Sequence, residues 1–228
     1  MSIRAILFDM DGTLVDSEPL HHSAMMETLD RVGVALPDRF ADDTTGMAMP
    51  AVYELLRATT ALQMGYQELV DAKYASFLKR AGEILMRPGA AAAMAAARRL
   101  GLAVAVVSNS DRMLVDASLT VCGIIRPDMI TVTRNDVRHG KPHPEPYLRA
   151  AWLLGVDPAE CIVVEDSVPG AAAGLAAGMT VAGWPEPHRR DLVFPDGTRR
   201  LDSDDLAGFL LQLAGPHMDP DTLQAPAH

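Results

Sequence analysis

Residues 6–18 read ILFDMDGTLVDSE, in which an apolar run leads into two aspartates separated by one methionine. An Asp-Gly pair between apolar runs is typical of a tight turn, because both residues tolerate positive φ. Side chains of a strand alternate between its faces, so Asp9 and Asp11 can point one way while Met10 points back. The stretch therefore predicts a buried strand that ends either in a plain turn or in two carboxylates placed for chemistry.

The composition of the 228 residues is that of an ordinary globular chain, with 49% hydrophobic residues, enough to bury a sizeable core. Thirty acidic against 20 basic residues give a formal net charge of −10, which disfavours nucleic acid or anionic membrane as partners. Cys122 and Cys161 have apolar neighbours and predict buried free thiols. Since neither a leader peptide nor a membrane span is recognisable, we expect a cytoplasmic protein, a monomer or weak oligomer.

Apolar runs comparable to the first one recur along the chain, at residues 103–107, 130–132, 161–164 and 179–182. Helical patterns of about ten residues lie between most of them and stop at a glycine; they cover residues 88–100, 112–121, 145–154 and 169–177. Strands that alternate with helices indicate crossover units and a parallel sheet. The predicted fold class is therefore α/β, with a doubly wound, Rossmann-like core.

One stretch interrupts this alternation directly after the first strand. From Ser17 to about Gly82 the chain carries three helix-like patterns and no convincing strand. We interpret residues 17–82 as an inserted α-helical cap domain that can move as a lid, and residues 1–16 with 83–228 as the core. Beyond Gly183 the pattern weakens, and one amphipathic helix is predicted over residues 201–213 before a frayed end.

Polar residues follow four of the predicted strands. Ligands of doubly wound sheets bind beyond the carboxyl ends of the strands, so these positions can be compared. They read, in chain order, Asp9-Met10-Asp11, Ser108-Asn109-Ser110, Gly140-Lys141-Pro142 and Glu165-Asp166-Ser167. Each segment alone could be a turn, a helix cap or a solvated lysine. Together they complement one another, because they bring acids, neutral donors and a cation to one edge of the sheet.

This combination suits the transfer of a phosphoryl group. Converging carboxylates repel one another unless a cation lies between them, and a set of hard oxygen ligands suits Mg²⁺. Ser108, Asn109 and Lys141 offer donors and positive charge to the remaining oxygens of a phosphoryl group. The four segments therefore predict a magnesium-dependent site that acts on a phosphate ester.

The segments FDMDGTLVD, VVSNS, HGKPHPEPY and VVEDSVPGAAAGLAAGM resemble the four motifs of the haloacid dehalogenase-like superfamily. The inserted helices resemble the cap of the branch that includes β-phosphoglucomutase and small sugar-phosphate phosphatases. The resemblance extends from Ile3 to about Gly183 and agrees in order, spacing and strand context. It implies that Asp9 is the nucleophile, which forms an aspartyl-phosphate, and that Asp11 is the general acid and then the general base.

The resemblance also implies the ligands of the metal and the phosphate. Mg²⁺ would be bound by Asp9, the backbone carbonyl of Asp11, and Asp166, with Glu165 as a direct or second-sphere partner. The phosphoryl oxygens would be held by Ser108, Asn109 and Lys141. The acid at Asp11 favours phosphate esters over halide displacement, because a departing halide needs no proton.

Four cap residues are candidates for contact with the substrate. Glu18 and His21 continue the first motif, and His21 could hydrogen-bond the second aspartate or the substrate. Lys73 is a cap cation that could reach the same place. Gly46 precedes a loop that carries an arginine for a distal phosphate in the β-phosphoglucomutase branch, and Met47 stands where we align that arginine. Because a mutase must hold two phosphates, the absence of this arginine favours hydrolysis.

The sequence thus predicts an enzyme, a Mg²⁺-dependent phosphatase for a small phosphorylated metabolite such as a sugar, sugar-acid or polyol phosphate. Two alternatives stay open at this point. The first is a β-phosphoglucomutase-type isomerase, and the second is a catalytically silent phosphate-binding or interaction protein.

Overall fold

The computed structural model describes residues 2–44 and 47–214. The strands within these residues are β1 (Ala5–Phe8), β2 (Val15–Asp16), β3 (Leu85–Met86), β4 (Ala103–Val107), β5 (Ile130–Val132), β6 (Cys161–Glu165), β7 (Thr180–Gly183) and β8 (Arg199–Arg200). The α-helices are α1 (Glu18–Asp30), α2 (Phe40–Thr44), α3 (Met49–Thr59), α4 (Tyr66–Arg80), α5 (Ala90–Arg99), α6 (Arg112–Val121), α7 (Glu145–Leu154), α8 (Val168–Ala176) and α9 (Leu206–Ala214). The two element types alternate from α5 to β7, as the sequence predicts.

Six strands form one parallel sheet in the order β5-β4-β1-β6-β7-β8. The central strand β1 is buried at all its positions, which is typical of a parallel strand covered on both faces. Ile6 and Phe8 pack into the cluster that includes the inserted helices, whereas Ala5 and Leu7 pack into a second cluster with α7 and α8. Helices on both faces of a parallel sheet confirm the predicted doubly wound α/β class.

The inserted helices lie between two short strands. β2 and β3 pair antiparallel, with Val15 opposite Met86 and Asp16 opposite Leu85, so the chain enters and leaves the insert at one place. The described part of the insert holds four helices instead of the three expected. The additional one, α2, has only five residues, too few to show a helical period in the sequence. The division into a core and a cap at residues 17 and 82 stays a prediction.

The region after β7 differs most from the sequence-based expectation. Arg199 and Arg200 add β8 to the sheet edge, and the last helix therefore starts at Leu206 instead of residue 201. A two-residue strand carries no periodic signal, which explains why it is absent from the prediction. The expected frayed end lies outside the described residues. In the described parts, no helix is both long enough and apolar enough to cross a bilayer.

Candidate active site

The loop after β1 answers the question raised by the Asp-Gly pair. The amides of Thr13, Leu14 and Val15 all donate to the carbonyl of Met10, at 3.3, 2.9 and 3.0 Å, so the chain turns sharply. Gly12 has a φ of +77°, and a Cβ atom there would lie 2.4 Å from Oδ2 of Asp166. Only glycine meets both demands without strain. The pair is a turn, and the turn also brings the first loop against the acidic loop that follows β6.

Lys141 links the first loop to the acidic loop. Its Nζ donates at 2.6 Å to Oδ1 of Asp9, at 2.6 Å to Oε1 of Glu165 and at 2.8 Å to the carbonyl of Val107. The side chain is 3% exposed. Although burial opposes the charge, the two carboxylates raise the pKa of Lys141 above its ordinary value. A permanently charged lysine therefore lies at the carboxyl ends of β1, β4 and β6.

The side chain of Asn109 positions this lysine. Its Nδ2 donates to the backbone carbonyl of Lys141 at 3.1 Å, and its Oδ1 accepts from the backbone amide of Lys141 at 2.8 Å. A Cβ atom on Gly140 would lie 2.6 Å from that Oδ1. The predicted role of Asn109 in binding phosphate stays a prediction, because its amide holds the lysine loop in this geometry.

Glu165 is fully buried and both of its oxygens are occupied. Oε1 accepts from Lys141 and, at 2.5 Å, from the hydroxyl of Tyr147, and Oε2 accepts from Ser167 at 2.9 Å. A Cβ atom on Gly170 would lie 1.9 Å from the carboxylate, so α8 begins with a residue that leaves room for it. Because both oxygens are engaged, this geometry favours the second-sphere role of Glu165 over direct binding of a metal, and the role itself stays a prediction.

Asp11 lies on the other side of the first loop and accepts several hydrogen bonds. Its Oδ1 accepts from Ser17 at 2.5 Å and lies 3.4 Å from Nε2 of His21, and its Oδ2 accepts from Ser108 at 3.2 Å and Ser110 at 2.8 Å. Burial opposes ionisation, but the contact with His21 and the two serine hydroxyls Ser17 and Ser110 lower the pKa of Asp11 below its ordinary value. These contacts favour the ionised form of Asp11 before a substrate binds.

Asp9 and Asp166 each carry a carboxylate oxygen that could bind a cation. Ligand oxygens of Asp9, Glu165 and Asp166 lie within 4.8 Å of one another. Oδ2 of Asp9 and Oδ2 of Asp166 are buried without a hydrogen-bond partner among the described residues, while Thr13 donates to Oδ1 of Asp166 at 3.1 Å. Burial, followed for Asp166 by the charge of Glu165, raises the pKa of both aspartates, although Lys141 opposes this at Asp9. Two unpaired hard oxygens in this setting fit Mg²⁺.

The cap contributes a second group of charged side chains. Nζ of Lys73 lies 2.9 Å from Nδ1 of His21, and the ring of His21 packs on Phe77 with centroids 4.4 Å apart. Burial lowers the pKa of Lys73 to about 8. Burial, with the charge of Asp11 next, raises the pKa of Glu18 to about 8. Burial is therefore the main cause of the shifted pKa values of these residues of the insert, and the charge of Asp11 contributes to both.

A single cavity of about 280 Å³ unites these groups. Its lining includes nearly every side chain that the sequence singles out, namely Asp9, Asp11, Glu18, His21, Lys73, Ser108, Asn109, Lys141 and Asp166. Glu165 lies behind Lys141 and does not line it, and Gly46 lies outside the described residues. The cavity also contains polar residues that sequence reasoning missed: Ser110, His22, Glu186, His188 and Arg189.

Some of the missed residues had a signal in the sequence. Ser110 ends the segment VVSNS, Ser17 directly follows FDMDGTLVD, and Tyr147 ends HGKPHPEPY. Nothing in the sequence pattern indicates Glu186, His188 or Arg189, because they follow the last strand of the family resemblance. Only the three-dimensional fold brings that segment to the cavity.

Comparisons with known proteins agree with this geometry. A model of the haloacid dehalogenase-like hydrolases matches residues 3–178. YhcW of Bacillus subtilis (strain 168), provisionally named as a phosphatase, is 35% identical over 218 residues, which cover 95% of this chain and 98% of the relative. Hexitol phosphatase B of Escherichia coli (strain K12) is 33% identical over 194 residues, covering 83% and 86%. The crystal structure of CbbY from Rhodobacter sphaeroides with phosphate has a TM-score of 0.80 at 31% identity, covering 90% and 96%.

The chain therefore belongs to the haloacid dehalogenase-like hydrolases. Within that family it is a phosphatase, a phosphoric monoester hydrolase. The expectations of fold and enzyme class drawn from the sequence are confirmed by these matches.

Proposed function

We propose that the protein is a Mg²⁺-dependent phosphatase of a small sugar, sugar-acid or polyol phosphate that works through an aspartyl-phosphate. The observation that carries this proposal is that Asp9, Asp11, Ser108 and Lys141, from different strand ends, line one cavity. The named substrate of the relative from Escherichia coli, a hexitol phosphate, supports the substrate class. The protein is expected to act in the cytoplasm on a small metabolite.

In the first step, a carboxylate oxygen of Asp9 would attack the phosphorus in line. The bond between phosphorus and the ester oxygen breaks as the bond to Asp9 forms, and Asp11 gives its proton to the departing alkoxide. Asp11 must be protonated for this step although its resting pKa is lowered. The negative charge of a bound phosphate beside it would raise that pKa again.

In the second step, Asp11 would act as the base. It takes a proton from a water molecule, whose oxygen attacks the phosphorus, and the bond to Asp9 breaks to give inorganic phosphate. The carboxylate of Asp9 and the proton on Asp11 are thereby restored. Lys141 and Ser108 would hold phosphoryl oxygens during both steps, where preorganised donors have their largest effect.

Asp9, Asp166 and the backbone carbonyl of Asp11 would hold Mg²⁺, consistent with the unpaired oxygens of both aspartates. When bound, the ion supplies positive charge that offsets the repulsion between the phosphate and the carboxylates. Glu165 would act on the site through Lys141, which it contacts at 2.6 Å.

Hydrolysis is favoured over isomerisation by the cap. Met47 lines the cavity at the place where we align the arginine of the β-phosphoglucomutase branch. An apolar side chain there offers nothing to a second phosphate delivered from the cap loop. The cap itself, residues 17–82, would open for exchange of substrate and product through the paired strands β2 and β3.

The test is an incubation of the protein with Mg²⁺ and a panel of phosphorylated sugars, sugar acids and polyols. Released phosphate is measured beside the conversion of β-glucose 1-phosphate to glucose 6-phosphate. We expect phosphate release; isomer conversion without release would overturn hydrolysis, and inactivity towards every compound would favour a silent binding protein.

Asp9→Asn tests the nucleophile. The variant keeps the shape of the side chain but not its nucleophilic oxygen, so we expect turnover to fall below detection with the circular dichroism spectrum intact. Asp196→Asn, at an exposed loop position, is the matched control and should keep full activity. Substantial turnover by Asp9→Asn would contradict the assignment.

A further inference from the structure

One wall of the cavity is formed by the segment that follows β7. Glu186, His188 and Arg189 line it there, beyond residue 178, where the match to the family model ends. The side chains on this wall therefore have no role in the phosphoryl-transfer steps derived above. They lie where the part of the substrate remote from the reacting phosphate could be held.

Besides the oxygens of Asp9 and Asp166, two buried polar atoms of residues that line this cavity lack a partner in the described part of the chain. They are Nη1 of Arg189, from the segment after β7, and Nδ1 of His22, from helix α1 of the insert; neither has a hydrogen-bond partner among the described residues. Both residues line the cavity. Buried polar groups in proteins are nearly always hydrogen-bonded. Two unpaired atoms in one cavity therefore indicate that a bound ligand forms the missing hydrogen bonds.

Electrostatic and backbone contacts connect the elements that carry the two residues. Glu18 and His22 are four residues apart on α1 and therefore share one helix face. The charge of Glu186 contributes, after burial and the charge of Asp11, to the raised pKa of Glu18, so this face interacts both with the first loop and with the segment after β7. The amide of Arg189 donates to the carbonyl of Glu186 at 2.9 Å, so one short turn brings Arg189 to the same place.

The other cations of the cavity are already engaged at the catalytic end. Lys141 contacts Asp9 and Glu165, and Lys73 contacts His21. The planar guanidinium of Arg189 presents paired donors that match a carboxylate or a phosphate. Met47, on the side of the insert, carries no charge. The guanidinium of Arg189 therefore supplies a positive charge to the cavity from the segment after β7.

We propose that Arg189 and His22 bind a second anionic group of the substrate, at the end remote from the reacting phosphate. This inference rests on the proposed phosphatase function and narrows its substrates. The preferred compounds carry a carboxylate or a second phosphate, as in sugar-acid phosphates and sugar bisphosphates, and neutral polyol phosphates are poorer substrates.

The experiment compares three phosphates with the same six-carbon chain. Glucitol 6-phosphate ends in an alcohol, gluconate 6-phosphate in a carboxylate and glucitol 1,6-bisphosphate in a second phosphate. We expect kcat/KM of the wild type to be higher for one or both doubly anionic compounds than for glucitol 6-phosphate. The compound with the larger advantage identifies which anion the site takes.

The preference is the ratio of kcat/KM for a doubly anionic compound to kcat/KM for glucitol 6-phosphate. Arg189→Met should reduce this ratio about ten- to hundredfold, the effect of losing a hydrogen bond between charged groups. His22→Leu should reduce it less, because it removes a single ring donor. Arg190→Met, at the exposed neighbouring position, is the matched control and should leave the ratio of the kcat/KM values unchanged. An equal loss of kcat/KM for all three compounds would mean that Arg189 only contacts Glu186 or stabilises the fold. That result would overturn the proposal.

A binding measurement separates this proposal from the proposed catalysis. Calorimetric titration of Asp9→Asn protein in Mg²⁺ compares the affinities for gluconate 6-phosphate and glucitol 6-phosphate without turnover. Tighter binding of the carboxylate compound, lost on adding Arg189→Met, supports the anion site even if no phosphate is released. Equal affinities, with phosphate released normally by the wild type, would overturn the anion site and leave the phosphatase function standing.

Discussion

Lys141 contributes both to the candidate active site and to the stability of the fold. Its ammonium group compensates two buried carboxylates, Asp9 and Glu165, whose side chains are 10% and 0% exposed. A buried pair adds little net stability, but removal of one partner leaves the other charge unpaired in a medium of low polarity. Lys141 therefore has two separable roles, one towards the phosphate and one towards its own neighbours.

Lys141→Met should abolish turnover and lower the free energy of unfolding by about 3–5 kcal/mol, because it leaves two buried carboxylates uncompensated. Adding Glu165→Gln should recover part of that stability by removing one of the charges, with no recovery of activity. Urea denaturation and phosphate release measure the two effects. Lys79→Met, exposed on α4, is the control; a Lys141→Met protein as stable as this control would contradict the account.

At the scale of elements, a single hydrogen bond joins helix α4 of the insert to the start of α6 beside the sheet. The hydroxyl of Tyr74 donates at 2.5 Å to Oδ2 of Asp111, whose Oδ1 accepts from Nε of Arg134 at 2.5 Å. Tyr74 is 6% exposed, so water does not compete for this bond. It is well placed to hold the insert against the core over the cavity.

Tyr74→Phe should weaken closure of the insert by about 1 kcal/mol, the net value of a typical buried hydrogen bond. We expect faster amide hydrogen exchange in α1 and α4 and a KM raised several-fold, with little change in kcat. Tyr53→Phe is the matched control, because it removes a bond to the carbonyl of Met64 that lies within the insert. Equal exchange rates in the two variants would argue against a bond that spans the two parts.

Most elements of the sheet and its flanking helices could be predicted from the sequence because their apolar runs and glycine stops are local. Helix α6, from Arg112 to Val121, and α7, from Glu145 to Leu154, have the predicted bounds. The paired strands β2 and β3 and the edge strand β8 could not be predicted, since two residues show no period. The side chains that line the candidate site from the strand ends could be singled out for the same local reason, as each directly follows an apolar run or lies in a dense motif.

The contacts made by those side chains depend on residues far apart in sequence and were therefore beyond prediction. Asn109 could be recognised as a donor beside Ser108, but not as the clamp on the backbone of Lys141, 32 positions away. Arg189 could not be recognised at all, because its segment has no pattern of its own. The sequence does not show where irregular segments lie in the fold, because tertiary packing alone determines their position.

At the scale of the whole molecule, the buried carboxylates of the candidate site oppose folding when they are ionised. Burial and neighbouring carboxylates raise the pKa of Asp166 in the folded protein above its value in the unfolded chain. The folded state then binds more protons than the unfolded state, so this group makes the metal-free protein less stable as pH rises through that window. If Mg²⁺ binds as proposed, it would remove the penalty by pairing the charge and would stabilise the folded state by mass action.

In EDTA, we therefore expect the melting temperature at pH 8 to lie below that at pH 5.5, and millimolar Mg²⁺ should raise it mainly at pH 8. Asp166→Asn removes the unpaired charge while keeping the contact with Thr13 available, so it should melt higher than the wild type in EDTA at pH 8. It should also lose the response to Mg²⁺, together with most of its activity. Asp202→Asn, an exposed position, keeps the charge at the site and should behave as the wild type does. Differential scanning fluorimetry, with EDTA or with Mg²⁺, makes the comparison.

Removal of a buried charge stabilises a protein, while removal of an ordinary packing group destabilises it. An Asp166→Asn protein that melts lower than the wild type in EDTA would therefore contradict the assignment of this carboxylate to a cation site.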